Sequence, residues 1–473
     1  MKRLFFLILV INFNFYYDAS SQELIGDIIY GEEAFDLLGD QVSLSEDGNI
    51  LAISAPTLSL DKQGFVRILE WDGSSWQNKG DDILDGNLSN RIRFPIALNK
   101  EGNRVAFAAD FIEGFQYQGF GRVYEFQNGI WTQIGQTLNE EERFASFEIR
   151  TLSINEAGDR VAIGRPDDQD PLRQAGSVKV WELQEDTWVQ LGQEIQGNKI
   201  MDRLGYSIQL TGDGDKLAVS FDQEGKQPGG VRIMEYVDNE WIQIGNDILG
   251  EPGEINFGKR IKYLGNGSQI VICSDGDDSG TGAISIFEYI AGRWIRKGNL
   301  IKGSFDNEHL GHTISISSDG NTLLATSKGV VRIFVYRNKK WREIDTGYIR
   351  QSFDLLSSSA ISGNGRRIVI GNADYSEVDM QIGSVQVYDY DIENLAGVIS
   401  QEIEIFPNPV IDDLNILLRP GGNPDVIVRD INGRLILKSS NTSSLNVSDL
   451  PSGIYFLEVK VNAESMILKF IKS

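Results

Sequence analysis

The order of apolar and polar positions repeats along most of this chain. An alternating stretch such as Val42–Leu44 leads through a tight turn into a more apolar stretch at 51–54, and two further stretches follow, one opening on glycine and one carrying tryptophan. Strict alternation predicts a strand exposed on one face, and a more apolar run predicts a strand buried on both faces. Each repeat therefore predicts four strands.

Tryptophan marks the fourth strand. Six tryptophans are spaced 47 to 57 residues apart, and several begin similar runs, such as Trp131-Thr-Gln-Ile-Gly and Trp188-Val-Gln-Leu-Gly. A period in this range is typical of one supersecondary unit that buries its face against the next copy. Because their place in the repeat is fixed, the tryptophans are expected to pack between units. The six are Trp76, Trp131, Trp188, Trp241, Trp294 and Trp341.

Glycine marks the turn between the first and second strands. A two-residue hairpin needs a positive φ, which glycine adopts without a Cβ clash. The turn glycines are Gly48, Gly102, Gly158, Gly214, Gly267, Gly320 and Gly365. Seven four-stranded units predict an all-β fold, a seven-bladed β-propeller over residues 22–392.

The two ends of the repeat predict how the ring closes. The seventh unit stops near Tyr390 without a tryptophan strand, whereas the run 24–29 is similar to the run 244–249 of an inner repeat. Residues 23–29 are therefore expected to supply the outer strand of the seventh blade. Such closure removes the exposed edge that an open sheet would present.

The blades resemble the integrin-type, FG-GAP-like propeller repeats of bacterial surface proteins. The resemblance lies in the pairs that open four blades, followed by the turn and the Gly-x-Val strand: Leu38-Gly39, Leu204-Gly205, Phe257-Gly258 and Leu310-Gly311. Members of that family often carry calcium loops of the form Asp-x-Asp-x-Asp-Gly, which none of the seven repeats contains. No cofactor is therefore expected, with calcium kept as the alternative because the run 275–280 has a related composition.

The N-terminus and the charge predict an exported protein. Lys2 and Arg3 precede the apolar stretch 4–11, and small residues follow at 19–21, which is the pattern of a signal peptide over residues 1–21. That stretch is too short to span a bilayer, and no other segment is apolar enough to predict a transmembrane segment. The net charge of −24 disfavours nucleic acid as a partner. The single cysteine, Cys273, ends an apolar run and is expected to be a buried, inert thiol.

A different module follows the repeat. After a linker at 393–402, residues 403–473 form short alternating runs between turns, which predicts a small antiparallel β-sandwich. The module resembles the type A sorting domain of the type IX secretion system of Bacteroidota. The matching motif residues are Pro407, Asn408, Pro409, Asn432, Gly433, Gly453 and Tyr455. The resemblance implies recognition by the type IX machinery, export, removal of the domain, and a propeller that is secreted or held at the outer cell surface.

Loop lengths predict the binding face. If strands A to D run outward from the axis, the A–B turns are uniformly short, whereas the B–C connections range from 327–329 to long loops such as 110–121. Loops of variable length on a rigid scaffold commonly carry binding sites. The face formed by the B–C and D–A connections is therefore the predicted binding face.

Aspartates near the end of strand B are the candidate ligand-binding residues on that face. They could form an acidic rim that binds a cation or a basic partner, or each could bond the amides of its own turn. Phe115 and Tyr117, together with Tyr375, are the aromatic candidates for contact with a sugar. The aspartates are Asp110, Asp167, Asp222, Asp275 and Asp374.

The sequence matches no catalytic motif. It contains no Gly-x-Ser-x-Gly elbow and no P-loop, and His309 and His312 share one loop, where they are expected to be solvated. The predicted function is binding or adhesion to an extracellular protein or polysaccharide, and the protein is not predicted to be an enzyme. The alternative is an extracellular carbohydrate-active enzyme, a lyase or hydrolase that uses carboxylates of the loop face.

Overall fold

The computed structural model describes two compact units, which divide the chain at 390/391. The described residues are 22–58, 62–84, 95–113, 116–139, 151–169, 172–221, 228–251, 254–275, 280–344, 350–376, 379–390, 402–419, 423–431, 433–461 and 464–472. The predicted signal peptide and residues 393–401 of the predicted linker lie outside them. Within these ranges, no helix has the length and hydrophobicity needed to cross a bilayer.

Antiparallel sheets, which we call blades, make up the first unit, and the described residues form seven of them. Strands A, B, C and D pair in that order, and a short fifth strand pairs with the start of strand C. Blades one to three contain β3 (Val42–Leu44), β4 (Ile50–Ala55), β5 (Phe65–Trp71), β6 (Trp76–Asn78) and β7 (Ile83–Leu84); β8 (Ile96–Leu98), β9 (Arg104–Glu113), β10 (Gln116–Gln127), β11 (Ile130–Gln133) and β12 (Leu138–Asn139); and β13 (Thr151–Ile154), β14 (Arg160–Arg165), β15 (Ser177–Gln184), β16 (Thr187–Gln190) and β17 (Ile195–Gln196).

The remaining blades follow the same plan with two variations. In blade six, strands B and C are one continuous strand, and blade seven takes its outer strands from the N-terminus. These blades contain β18 (Ile208–Leu210), β19 (Lys216–Phe221), β20 (Gly230–Val237), β21 (Glu240–Gln243) and β22 (Ile248–Leu249); β23 (Arg260–Tyr263), β24 (Gln269–Ser274), β25 (Ala283–Ile290), β26 (Arg293–Arg296) and β27 (Ile301–Lys302); β28 (Ile314–Ile316), β29 (Thr322–Arg337), β30 (Lys340–Ile344) and β31 (Arg350–Leu355); and β32 (Ser358–Ile361), β33 (Arg367–Asn372) and β34 (Ser384–Tyr390) with β1 (Gln22–Leu24) and β2 (Ile29–Tyr30).

The blades form a closed ring around the inner strands. Neighbouring A strands contact each other in the order β3, β8, β13, β18, β23, β28 and β32, and β32 contacts β3. All six residues of strand B are buried in β4 and in β24, because neighbouring blades cover both faces. The predicted all-β propeller is therefore confirmed.

The A–B turns are tied to one another by their backbones. Among the described residues, one residue in six of the seven turns donates its N–H to the carbonyl of the equivalent residue in the next blade, over distances of 2.7–3.2 Å. The described bonds run through Ser318, Gly363, Glu46, Lys100, Glu156, Gly212 and Gly265. These bonds satisfy turn amides near the axis and fix the spacing of the blades at this end.

The repeat tryptophans join each outer strand to the preceding one. In four of the six, the indole Nε1 donates to the carbonyl of the residue that directly follows the preceding D strand, for example from Trp188 to Ile134 at 2.9 Å. The residue after Ile134, Gly135, has a φ of 67° and lies against the indole. Gln136 then bonds both backbone groups of Trp188. The predicted packing of tryptophan between blades is confirmed.

A cation provides a second joint between several blades. Arg104 and Arg367, which open strand B, each donate to the carbonyl of the turn glycine in the following blade, at 3.2 and 3.0 Å. In blade five strand B opens with Gln269, and Lys297 of strand D makes the equivalent bond to Gly320 at 3.2 Å. This hydrogen bond requires only a cationic side chain close to the carbonyl of the turn glycine, and either strand B or strand D can supply that side chain.

The N-terminal strand completes blade seven. β1 pairs with the end of β34, with Gln22 opposite Tyr390 and Leu24 opposite Tyr388, and the Ile25 N–H bonds Val387 at 2.9 Å. β2 pairs with the start of β34. The chain ends of the propeller thus lie in one sheet.

The second unit is a β-sandwich with its own core. One sheet has the order β35 (Glu402–Phe406), β36 (Asp413–Arg419) and β39 (Ser444–Asn446). The other has the order β38 (Leu435–Ser439), β37 (Asp425–Asp430), β40 (Gly453–Val461) and β41 (Glu464–Lys472). Inward side chains of both sheets form one cluster, as the alternation in the sequence predicts.

Replacement of Gly135 by alanine tests the tryptophan joint. A Cβ at Gly135 would lie 2.5 Å from Cδ1 of Trp188, whereas a Cβ at Gly129 in the same blade, also at positive φ, would meet nothing within 4 Å. Gly129→Ala should cost only the backbone strain of about 1–2 kcal/mol. Gly135→Ala should cost a further ~1–3 kcal/mol from overpacking, measured by denaturant unfolding. Equal losses in the two variants would show that the indole does not need this glycine.

Candidate functional site

Two of the candidate aspartates are held by cations on the loop face. Asp167 lies 3.3 Å from Arg203, and both side chains are largely buried. Asp275 accepts hydrogen bonds from Lys259 at 2.5 Å and from Asn256 at 2.7 Å. Arg203 lies in the loop that opens the next blade, whereas Lys259 lies in the loop that opens the same blade as Asp275. Each carboxylate is thus neutralised by a cation from a neighbouring loop. Sequence reasoning missed these partners.

Asp374 lies in a different environment, beside an aromatic pair. It is exposed, and Gln381 donates to its Oδ1 at 3.2 Å. The neighbouring Tyr375 packs against Tyr30, with ring centroids 5.6 Å apart and both rings half-buried. Tyr30 pairs with Ser384, the first residue of β34, which places both rings at the B–C end of blade seven.

Blade two carries the remaining candidates on an extended hairpin. β9 and β10 pair over ten residues, from Arg104 opposite Glu125 to Glu113 opposite Gln116, whereas β14 and β15 pair over six. Asp110 and Tyr117 lie in the extra length. Phe115 and Asp222 lie outside the described residues. Within the described part of the chain, no three Asp, Glu, His or Cys residues form a group that could hold a metal ion.

Buried acids shape the D–A loops of this face. Asp36 accepts hydrogen bonds from the N–H groups of Glu32 and Glu33 at 2.9 Å, and Asp202 accepts one from Asn198 at 3.3 Å. Burial raises the pKa of Asp202 above its usual value. The sequence signal is an acid three residues before the glycine of the Leu-Gly pair. By accepting backbone N–H groups, such acids hold the loop backbones in place, and the same loops carry the exposed side chains of this face.

The expectation that both histidines are solvated is wrong for His312. Its side chain is partly buried, and burial, followed by nearby Arg260 and Lys259, lowers the pKa of His312 to about 4. It therefore stays neutral at physiological pH. Cys273 is buried, as the sequence predicts, and burial raises the pKa of its thiol.

A polar cavity of about 520 Å³ lies on the opposite face, beside the A–B turns of blades two to four. Lys100 lines it and bonds Glu156 at 2.9 Å, and Arg104 bonds Glu125 at 2.7 Å. Each of these two cations is paired with a carboxylate, and Glu101 and Asp213 also line the cavity, so that its lining carries two more carboxylates than cations. The cavity can accept a small polar molecule.

The sorting motif residues hold the second unit together. Asn408 donates to the Lys469 carbonyl and accepts from the Ile471 N–H, at 3.1 and 2.9 Å, so that its amide replaces a missing strand partner. Tyr455 donates to the Pro451 carbonyl at 2.9 Å and stacks on Phe470. Gly433 has a φ of 77° in the turn between β37 and β38, and Gly453 opens β40, whereas Asn432 lies outside the described residues.

His312 should make stability depend on pH. Its folded-state pKa of about 4 lies below the unfolded value of 6.5. Neutral His312 therefore stabilises the fold above pH 6.5, and this contribution is lost as the pH falls towards 4, by at most about 1.4 kcal/mol per pH unit. His312→Gln should flatten the fall in the free energy of unfolding over this range, measured by urea denaturation beside wild type. Parallel curves for the two proteins would contradict the assignment.

Comparison with known proteins identifies the second unit. Residues 404–473 match the sequence profile of the family described as a secretion system C-terminal sorting domain. No curated protein matches the chain.

Solved structures with similar folds include propellers. Hydrazine synthase of Kuenenia stuttgartiensis is 12% identical, with 72% of this chain and 94% of that chain covered and a TM-score of 0.48. The Dos1 propeller is 9% identical, with 78% and 95% covered and a TM-score of 0.47. PorZ, a surface component of the type IX secretion system of Porphyromonas gingivalis, is 14% identical, with 92% and 59% covered and a TM-score of 0.44.

The family match and the geometry of the second unit agree. The profile covers β36 to β41 completely, and the motif residues that are described lie at the joints of that sandwich. The C-terminal unit is a sorting domain of the type IX secretion system, and the protein that carries it is exported, either secreted or placed at the cell surface.

Proposed function

We propose that this protein is an exported binding protein whose propeller recognises an extracellular polysaccharide on its B–C/D–A face. The propeller, whose repeats are of the FG-GAP-like type, is then the exported binding module. The sorting domain, which is of type A, directs its export. The observation that carries the proposal is the Tyr30–Tyr375 pair beside Asp374.

The blade-seven cluster has the chemistry that a sugar requires. Aromatic rings offer a flat apolar surface to the C–H face of a sugar, and a few fixed polar groups set its orientation. Asp374 has one oxygen bonded by Gln381, and a carboxylate with two oxygens can also accept from a ligand hydroxyl. Tyr30 and Tyr375 come from two elements that the sheet holds in place, which lowers the entropy cost of ordering a site.

The extended hairpin of blade two supports the same face. Its strands pair over ten residues, against six in blade three, and Tyr117 lies within the additional length. A long hairpin on a rigid ring gives a ligand additional contact area.

Substitution at Tyr375 tests the proposal on the full exported chain. Tyr375→Ala and Asp374→Ala should each weaken binding to the responsive polysaccharide of a glycan array by about tenfold or more, because each removes a central contact. Tyr289→Ala is the matched control, since Tyr289 is also a partly exposed aromatic but lies at the C–D end.

Three results would oppose the proposal. Equal binding by all variants would exclude the blade-seven cluster, and binding only to proteins would exclude a polysaccharide ligand. Titrations run with calcium and with chelator separate a third case, because loss of binding on chelation would show that the ligand is held through calcium and not by direct contact with Tyr30, Tyr375 and Asp374.

A further inference from the structure

The side of the larger sheet that faces away from the core of the sorting domain carries several exposed apolar side chains, alongside the charged residues Arg429, Glu458, Lys460 and Lys469. Along β40, Tyr455 and Leu457 point into the core, whereas Ile454 and Phe456 point outward and are 41% and 37% exposed. Alternation along a strand makes this division unavoidable, but it does not require the outward residues to be apolar.

The apolar positions continue across the sheet. Ile471 of β41 lies directly opposite Ile454 and is 40% exposed. Leu435 of β38 is 54% exposed and pairs with Arg429, which in turn lies opposite Phe456. We call this surface, made of Ile454, Phe456, Ile471 and Leu435, the outer face. It spans the first and last strands of the sheet.

The residues of the outer face lie outside the core of the sandwich. Its buried cluster lies on the other side of the same strands, where Tyr455 stacks on Phe470 at 5.5 Å between ring centroids. The Gly-Ile-Tyr and Lys-Phe-Ile-Lys motifs therefore divide their residues between two roles. Tyr455 and Phe470 hold the fold, and Ile454 and Ile471 present apolar surface to solvent, which commonly marks an interaction site.

We propose that the outer face is the surface through which the export machinery binds this chain. The sorting domain is the part of the chain that this machinery recognises, and the outer face is an apolar surface on it that the fold leaves uncovered. Exposed Lys469 lies opposite Phe456. The matching partner is an apolar groove with a carboxylate beside the position of Lys469. The proposal rests on the sorting domain and is independent of the polysaccharide site.

Export of the full-length chain from a bacterium with a type IX system tests the proposal. The double variant Ile454→Thr/Ile471→Thr keeps β-branched residues in both strands and should reduce the extracellular protein at least tenfold, with the remainder retained inside the cell envelope. Ile411→Thr is the matched control, because Ile411 is exposed in the same domain but lies between the strands of the other sheet. It should be exported like wild type.

A folding defect is separated from a binding defect by two measurements. The purified double variant should melt like wild type, and Lys469→Glu, which leaves the core untouched, should also reduce export several-fold. Wild-type export of either folded variant would overturn the proposal. Self-association that sedimentation detects in wild type and that the double variant loses without a change in export would also overturn it, since the face would then serve a second copy of the chain. Polysaccharide binding by purified protein should be unchanged throughout.

Discussion

Contact between the indole and a glycine of the preceding blade, which five of the six repeat tryptophans make, is the constraint on which the propeller depends. A sheet of four short strands cannot bury enough surface to be stable alone, so its stability comes from its neighbours. Trp188 can reach the carbonyl of Ile134 only because Gly135 presents no Cβ and turns the strand away. The indoles thereby join the outer strands of neighbouring blades, and the turn-to-turn hydrogen bonds join the same blades near the axis.

The sequence predicts where neighbouring blades contact each other better than it predicts which side chains form each contact. Strand B, the turn glycine and the tryptophan recur at fixed positions, and each recurrence corresponds to a blade. The cation joint does not recur in this way, because Arg104 acts from strand B and Lys297 acts from strand D, although both bond a turn glycine of the next blade. An alignment of repeats shows arginine at the start of strand B in blades two, three and seven, and other residues, such as Gln269, in the remaining blades. The shared acceptor becomes visible only when neighbouring blades are placed side by side.

The candidate binding site also contains side-chain contacts that the sequence alone does not predict. Asp275 reads as an exposed carboxylate after a strand, but Lys259 reaches it from the start of the same blade. Tyr30 and Tyr375 come from opposite ends of the propeller sequence and meet because β2 pairs with β34. The closure of the ring could be predicted, since a strand was missing from the last repeat. Which side chains that closure would bring together depended on register, and a shift of one residue reverses the faces of a strand.

The position of β34 also determines how the propeller would carry a pulling force. A propeller tethered through the chain that follows Tyr390 receives tension at the end of this strand. β34 is paired over six residues with β33 on one side and over three with β1 on the other. A load applied there has to shear both sets of hydrogen bonds together, whereas a strand at a sheet edge can be peeled away one bond at a time. The N-terminal strand thus makes the attachment point of the ring its mechanically reinforced part.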